Sequence, residues 1–328
     1  MEVRKVNIKK LFKRTAFIIL ILSVFIFANN SSQLTKERKG DPFLLAHRGM
    51  AQTFSMEGIE GDTCTAERIY EPEHPYLENT LASIGAAFDS GADMVEFDIR
   101  PTKDGQFAVF HDWTLDCRTN LAGEPKEYTM EQLKQADIGY GYTADGGKTY
   151  PFRGEGIGLM PSLNEVLSTF PDKELLIHIK SNDPEEGTML AKKLLQLPES
   201  QQKLITVYGG DAPVQSLKEE LPDTRVMSRE TLKSCIFPYL AYGWSGIVPG
   251  ACSKTQIHVP QKYTRLLWGW PDKFLNRMDA AGTRVIIVAG DGTWSEGYDS
   301  EKDLKQLPAN YTGGIWTNRI DEIAPIYK

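Results

Sequence analysis

Short apolar runs and amphipathic stretches alternate from residue 43 to the C-terminus. Met94–Arg100 shows the strictest pattern: Val95, Phe97 and Ile99 fall on one face, Glu96, Asp98 and Arg100 on the other, which predicts a strand with one apolar and one charged side. Leu175–Lys180 predicts a second, with Ile177 and Ile179 opposite His178 and Lys180. Further strands are expected at 43–46, 107–110, 203–208, 225–228, 246–249, 284–289 and 314–318. Helical spacing predicts helices near 79–89, 130–138, 162–170 and 272–281, with Gly91 ending the first. Alternating β and α units favour a parallel sheet. About eight such strands in the body, with neither a GxGxxG nor a P-loop string, predict an α/β fold: a single (β/α)8 TIM barrel over 41–328.

The first forty residues differ from the rest. They carry nine Lys/Arg and two acids, whereas the other 288 carry 28 and 42. Arg4, Lys5, Lys9, Lys10, Lys13 and Arg14 precede an uncharged run, Thr15–Ala28. Residues 1–40 are therefore expected to be a signal peptide or an N-terminal membrane anchor plus a linker, with a buried core helix as the third reading. The first two place the body outside the cytoplasm, secreted, periplasmic or anchored, with membrane association through 15–28. The acidic body argues against nucleic acid as a partner. Cys64, Cys117, Cys235 and Cys252 show no metal-type spacing. They read as thiols without chemistry, or as disulfides, with Cys64–Cys117 bridged only if their loops meet.

Candidate chemistry follows from the alternation. Residues two apart on a strand share a face, so Glu96 with Asp98, His178 with Lys180 and Trp316 with Asn318 are expected to point into the barrel. His47 and His111 end short apolar runs. Barrel active sites lie at the C-terminal ends of strands. Buried carboxylates need partners. A divalent cation would provide one; a salt-bridge network with Arg48, Arg100 and Lys180 is the structural alternative. Two imidazoles beside paired acids favour acid–base machinery. His74 and His258 read as structural or exposed, and Trp268 and Trp270 as core.

His47-Arg48-Gly49, Glu78-Asn79-Thr80, Glu96-Phe97-Asp98, Thr102-Lys103-Asp104-Gly105 and His111-Asp112, followed by Thr114-Leu115 and Arg118-Thr119-Asn120, resemble the glycerophosphodiester phosphodiesterase family in order. The resemblance is good over roughly 42–138 and loose beyond. It implies a TIM barrel that hydrolyses glycerophosphodiesters, small or lipid-derived, to glycerol phosphate and an alcohol, with one divalent metal ion (Ca, Mg, Mn or Zn). It implies His47 and His111 as the acid–base pair, Glu96 and Asp98 as metal ligands, Arg48 on the phosphate, Glu78 orienting the site, and Trp316 lining the glycerol pocket. Lys180 is expected to add positive charge at the substrate.

Two departures stand out. His178-Ile179-Lys180 replaces the family's Glu-x-Lys, so the third ligand becomes an imidazole, or His178 touches ligands or substrate instead. Between Gly49 and Glu78 lie 28 residues, a long loop expected to act as a lid or specificity element. Other readings are a phospholipase D-like or cyclising lyase acting on lysophospholipid or sphingolipid head groups, and a non-catalytic phosphodiester-binding barrel.

Overall fold

The structure is a computed structural model that describes residues 8–328 except 37, 62, 294 and 295. Arg4 and Lys5 of the basic leader lie outside the described residues. Among the described residues nine strands form one sheet: β1 Phe43–Ala46, β2 Met94–Pro101, β3 Phe107–Val109, β4 Glu174–Ile179, β5 Ile205–Gly209, β6 Arg225–Met227, β7 Gln256–Pro260, β8 Arg284–Val288 and β9 Gly314–Thr317. Eight are parallel in the order β6-β5-β4-β2-β1-β9-β8-β7, and a single parallel bridge, Val226–Thr255, brings the ends together. Helices on the outside connect them, as expected of a (β/α)8 barrel.

The alternation does its work here. Val95, Phe97, Ile99, Leu175, Ile177 and Ile179 join the large core between strands and helices. Leu45, Met94, Leu176, Ile286, Val288 and Trp316 fill the lumen. That apolar plug leaves the charged inward positions one layer higher. The register sets their level, because Asp98 pairs across the sheet with His178, and His178 with Tyr208.

Two strand expectations are corrected. Residues 107–110 do not supply a barrel strand: β3 folds back antiparallel on β2, with Ile99 opposite Val109. The turn at 102–105 is too short for the crossover a parallel pairing needs. Residues 246–249 form no strand; Gln256–Pro260 does instead. The cysteines are not free thiols. Cys64–Cys117 and Cys235–Cys252 are both bonded, and the first ties the long loop to the loop after β3. Trp268 and Trp270 pack on the core as expected.

The described part of the leader is mostly one helix, Ile8–Asn30, of 23 residues, none of them buried. At about 1.5 Å per residue it is roughly 35 Å long. It extends well past the apolar run 15–28 and is long and apolar enough to cross a membrane, a test that a signal sequence also passes.

Candidate active site

The site begins with an unusual turn. β1 ends at Ala46, and Arg48 follows with φ of 59°. Gly49 has φ of 76°, and a Cβ there would lie 2.7 Å from the Ser83 backbone. Only glycine tolerates both. The turn lets the Arg48 carbonyl accept from the Asn79 backbone N–H at 3.1 Å while the Arg48 N–H donates to Glu96 Oε2 at 3.1 Å. Thr80 caps the helix Leu81–Asp89 in a reciprocal pair with Ser83. Asn79, also left-handed, accepts at Oδ1 from the Asp98 backbone N–H (3.0 Å) and donates from Nδ2 to Asp98 Oδ2 (3.2 Å). The three short motifs are thus one hydrogen-bonded unit.

Glu96, Asp98 and His178 converge: ligand atoms from the three all lie within 4.8 Å of one another. His178 Nδ1 is 2.8 Å from Asp98 Oδ1, and Glu96 Oε1 accepts from Tyr208 Oη at 2.6 Å. Both carboxylates are fully buried. Burial and the adjacent Asp98 push Glu96 up to about 8. Burial opposes ionisation of Asp98 as well, but Lys180 at 3.6 Å, His111, the His178 hydrogen bond and Arg48 at 3.4 Å hold it well below the carboxylate range. Burial lowers His178 to about 4, against the pull of Asp98, so the ring is neutral and has a lone pair to offer. Two oxygen donors and a neutral imidazole, with one carboxyl kept protonated by its neighbour, are a donor set that a divalent cation fits.

His47 and His111 lie on either side of this cluster. His47 Nδ1 is 2.6 Å from Asn318 Oδ1, which Asp299 in turn holds through the Asn318 side-chain amide at 2.8 Å and its backbone N–H at 2.6 Å. That bond places the proton on Nδ1 and leaves Nε2, which accepts from Arg48 Nε at 3.1 Å, as the basic atom. Burial, then Arg48, lower His47 well below its ordinary value. His111 Nδ1 is 2.6 Å from Asp112 Oδ1. Burial and Arg48 lower His111 too, while Asp98 and Asp112 pull the other way.

One guanidinium joins these parts. Arg118, buried, donates to Asp112 (2.9 Å), to Glu78 (3.1 Å), to Tyr142 Oη (2.6 Å) and to Thr65 Oγ1 of the long loop (2.6 Å). Glu78 also binds Arg48 at 3.0 Å. Arg100, expected as a counter-ion to the carboxylates, instead stacks over Trp113 at 3.8 Å and donates to the His111 carbonyl at 2.9 Å.

A cavity of about 420 Å³ opens above the cluster. His47, Arg48, Asp98, His111, His178, Lys180 and Tyr208 line it, and Phe54, Ile59 and Thr65 of the long loop form part of its wall. Six of the nine residues singled out in the sequence line this opening; Glu96 sits beside Asp98 and His178, and Glu78 binds Arg48. Trp316 departs: it is 2% exposed and lies 4.6 Å from the His47 ring, so it supports that imidazole from below and does not line the cavity. His258 takes the structural of its two expected readings. It faces the lumen, 5.7 Å from the Tyr208 ring and 5.2 Å from Trp316, and burial lowers it to about 3. His74 is a loop residue, held against Gln52 and Tyr76. Sequence reasoning assigned no role to Asp112, Arg118, Tyr208, Asn318 or Asp299. Tyr208 carried a usable signal, since Ile205 and Val207 alternate with Thr206 and Tyr208.

A parallel barrel with carboxylates, imidazoles and cationic side chains gathered at its C-terminal mouth defines the class. Residues 47–205 match the model of the Glycerophosphoryl diester phosphodiesterase family. It is 41% identical over 103 residues to a glycerophosphodiester phosphodiesterase of Caldanaerobacter subterraneus, covering 31% of this chain and 39% of that protein. It is 42% identical over 118 residues to one from Bacillus altitudinis, covering 36% and 39%. The chain thus matches about two fifths of the length of these relatives. Among solved structures, the glycerophosphoryl diester phosphodiesterase domain of an uncharacterized Mycobacterium tuberculosis protein superposes with a TM-score of 0.64 at 16% identity, covering 88% of this chain and all of that one. An Oleispira antarctica phosphodiesterase in complex with the product sn-glycerol-3-phosphate superposes with a TM-score of 0.53 at 18% identity, covering 85% and 94%. The likeness to solved structures is one of fold.

Proposed function

We infer that this chain hydrolyses glycerophosphodiesters to glycerol phosphate and an alcohol, using His47 and His111 for proton transfer and a divalent cation held by Glu96, Asp98 and His178. The observation that carries this reading is the gathering of His47, His111, Asp98 and His178, with Arg48 and Lys180, around one cavity, and of Glu96 beside Asp98 and His178. The names of the curated relatives support the substrate class.

When bound, the cation supplies Lewis acidity and offsets phosphoryl charge. The protein's own groups do the rest. Arg48 offers a guanidinium that can grip two phosphoryl oxygens, and Glu78 fixes its attitude. Lys180 adds a second positive charge at the opening. His47 is neutral, and its Nε2 becomes free to take a proton when Arg48, which donates to it here, turns to the phosphate. His111, whose Nδ1 is held by the ionised Asp112, is the group suited to carry one and release it to the leaving oxygen.

The test is glycerol phosphate release from a panel of glycerophosphodiesters, with and without added Mg, Ca, Mn or Zn. Metal-dependent turnover that His111→Ala removes is the expected result. Binding without turnover in every metal would overturn it, and a cyclic phosphate as final product would assign the lyase reaction instead.

A further inference from the structure

The leader helix does not hang free of the barrel. A helix ends with carbonyls that lack intrahelical partners, and here the barrel supplies them. Lys273 Nζ donates to the Ala28 carbonyl at 2.8 Å, and Arg277 Nη2 donates to the Asn29 carbonyl at 2.8 Å. Arg277 Nη1 reaches Asn30 Oδ1 at 3.1 Å and also the buried Tyr239 hydroxyl at 2.9 Å. The side chains of Asn29 and Asn30 both donate to the Trp244 carbonyl, at 3.1 and 2.8 Å. Phe25 meets the Trp244 ring edge-on at 6.3 Å. Cationic side chains at a helix C-terminus are favoured by the dipole as well as by the hydrogen bonds.

Cleavage after Ala28 would remove the partner of Lys273 and leave Asn29 and Asn30, the partners of Arg277, at a free chain end. The socket is built from residues far away in the chain, on the helix Asp272–Ala280 and in the turn 243–245, and it fits a helix that stays. Around the socket the surface is apolar: Ile247 is 59% exposed, Tyr242 38% and, on the same helix, Phe237 62%. The Cys235–Cys252 bond braces this segment from both sides. Aromatic side chains with adjacent Lys and Arg, at the end of a 23-residue helix with an apolar run over 15–28, match the chemistry of a bilayer interface.

We propose that Ile8–Asn30 is a retained transmembrane anchor locked into the barrel by Lys273 and Arg277, and that the segment Tyr242–Ile247 rests on the outer surface of the lipid bilayer. The barrel is then held at a fixed attitude to the membrane, as a rigid extension of its anchor.

The test uses the full chain, expressed in bacteria with a C-terminal tag. Intact mass should include residues 1–28, and the protein should stay in the membrane pellet after an alkaline carbonate wash. A chain that begins after residue 28 and is recovered in the soluble fraction overturns the anchor. The docking face is read separately, in vesicles of phosphatidylethanolamine and phosphatidylglycerol, by labelling Ile247→Cys with a membrane-impermeant maleimide. Labelling at least tenfold slower in vesicles than in detergent, with the exposed Ile157→Cys unchanged, is expected. Equal rates for both positions in both settings would overturn the docking face.

Discussion

The two arcs of the barrel mouth are built from different materials. β1, β2 and β4 and the loops after them supply charge: Arg48, Glu96, Asp98 and Lys180, with His178 among them. β5, β7 and β9 supply rings. From His178 the stack passes to Tyr208 at 4.0 Å, to His258 at 5.7 Å, to Trp316 at 5.2 Å and back to His47 at 4.6 Å. The charged arc holds groups whose protonation states depend on each other. The ring arc has little titratable freedom, because burial keeps His258 neutral and Tyr208 protonated. One side is equipped to react, and the other to keep the reacting rings in place.

The sharpest way to break this division is to cross it. His47→Ala and His111→Ala should each lower kcat by about 10²- to 10⁴-fold, whereas Trp316→Phe, which keeps a ring under His47, should cost less than about tenfold. Steady-state kinetics would decide, and a Trp316→Phe loss as large as that of His47→Ala would erase the distinction. The disulfides offer a second contrast. Closing the 53-residue separation of Cys64–Cys117 contributes about 4 kcal/mol by chain entropy, and the 17-residue separation of Cys235–Cys252 about 3. Paired Cys→Ala variants should lose stability in that order in denaturant melts, yet only the first, whose loop walls the cavity, should also slow turnover.

Tyr208→Phe probes the seam between the arcs. It removes the hydroxyl from Glu96 but keeps the stack on His178, and divalent-ion affinity should fall about 10- to 100-fold by calorimetry. Unchanged affinity would leave Tyr208 a packing residue. The smallest effect concerns pH. Glu96, pushed up to about 8, carries a proton at pH 7 that a cation must displace, so affinity should strengthen as pH rises towards 8 and weaken below it. A Mn²⁺ affinity flat between pH 6 and 9 would contradict that.

The charged arc was legible in the sequence because its signal is local. Glu96-Phe97-Asp98 and His178-Ile179-Lys180 show their inward faces through strict alternation, and the first of them is also one of the family motifs. The ring arc was less so: alternation places Tyr208 and Trp316 inward, but nothing along the chain shows which rings they stack on, and Gln256-Ile257-His258 is too polar to suggest a strand. Gly246-Ile247-Val248-Pro249 looked more like one, although the chain there runs past the leader helix. Pairing direction was hidden too: Phe107–Val109 has strand composition, and only the short turn before it makes it antiparallel. Cys64 and Cys117 meet because two loops cross above the barrel, a relation no spacing along the chain records.

Arg118 holds Asp112, and through it His111, with one edge, and Glu78, and through it Arg48, with another. A side chain shared in this way leaves little room for piecemeal drift. A change that suits the imidazole disturbs the phosphate grip, so lineages carrying this arrangement should alter Asp112, Glu78 and Arg118 in concert or keep all three.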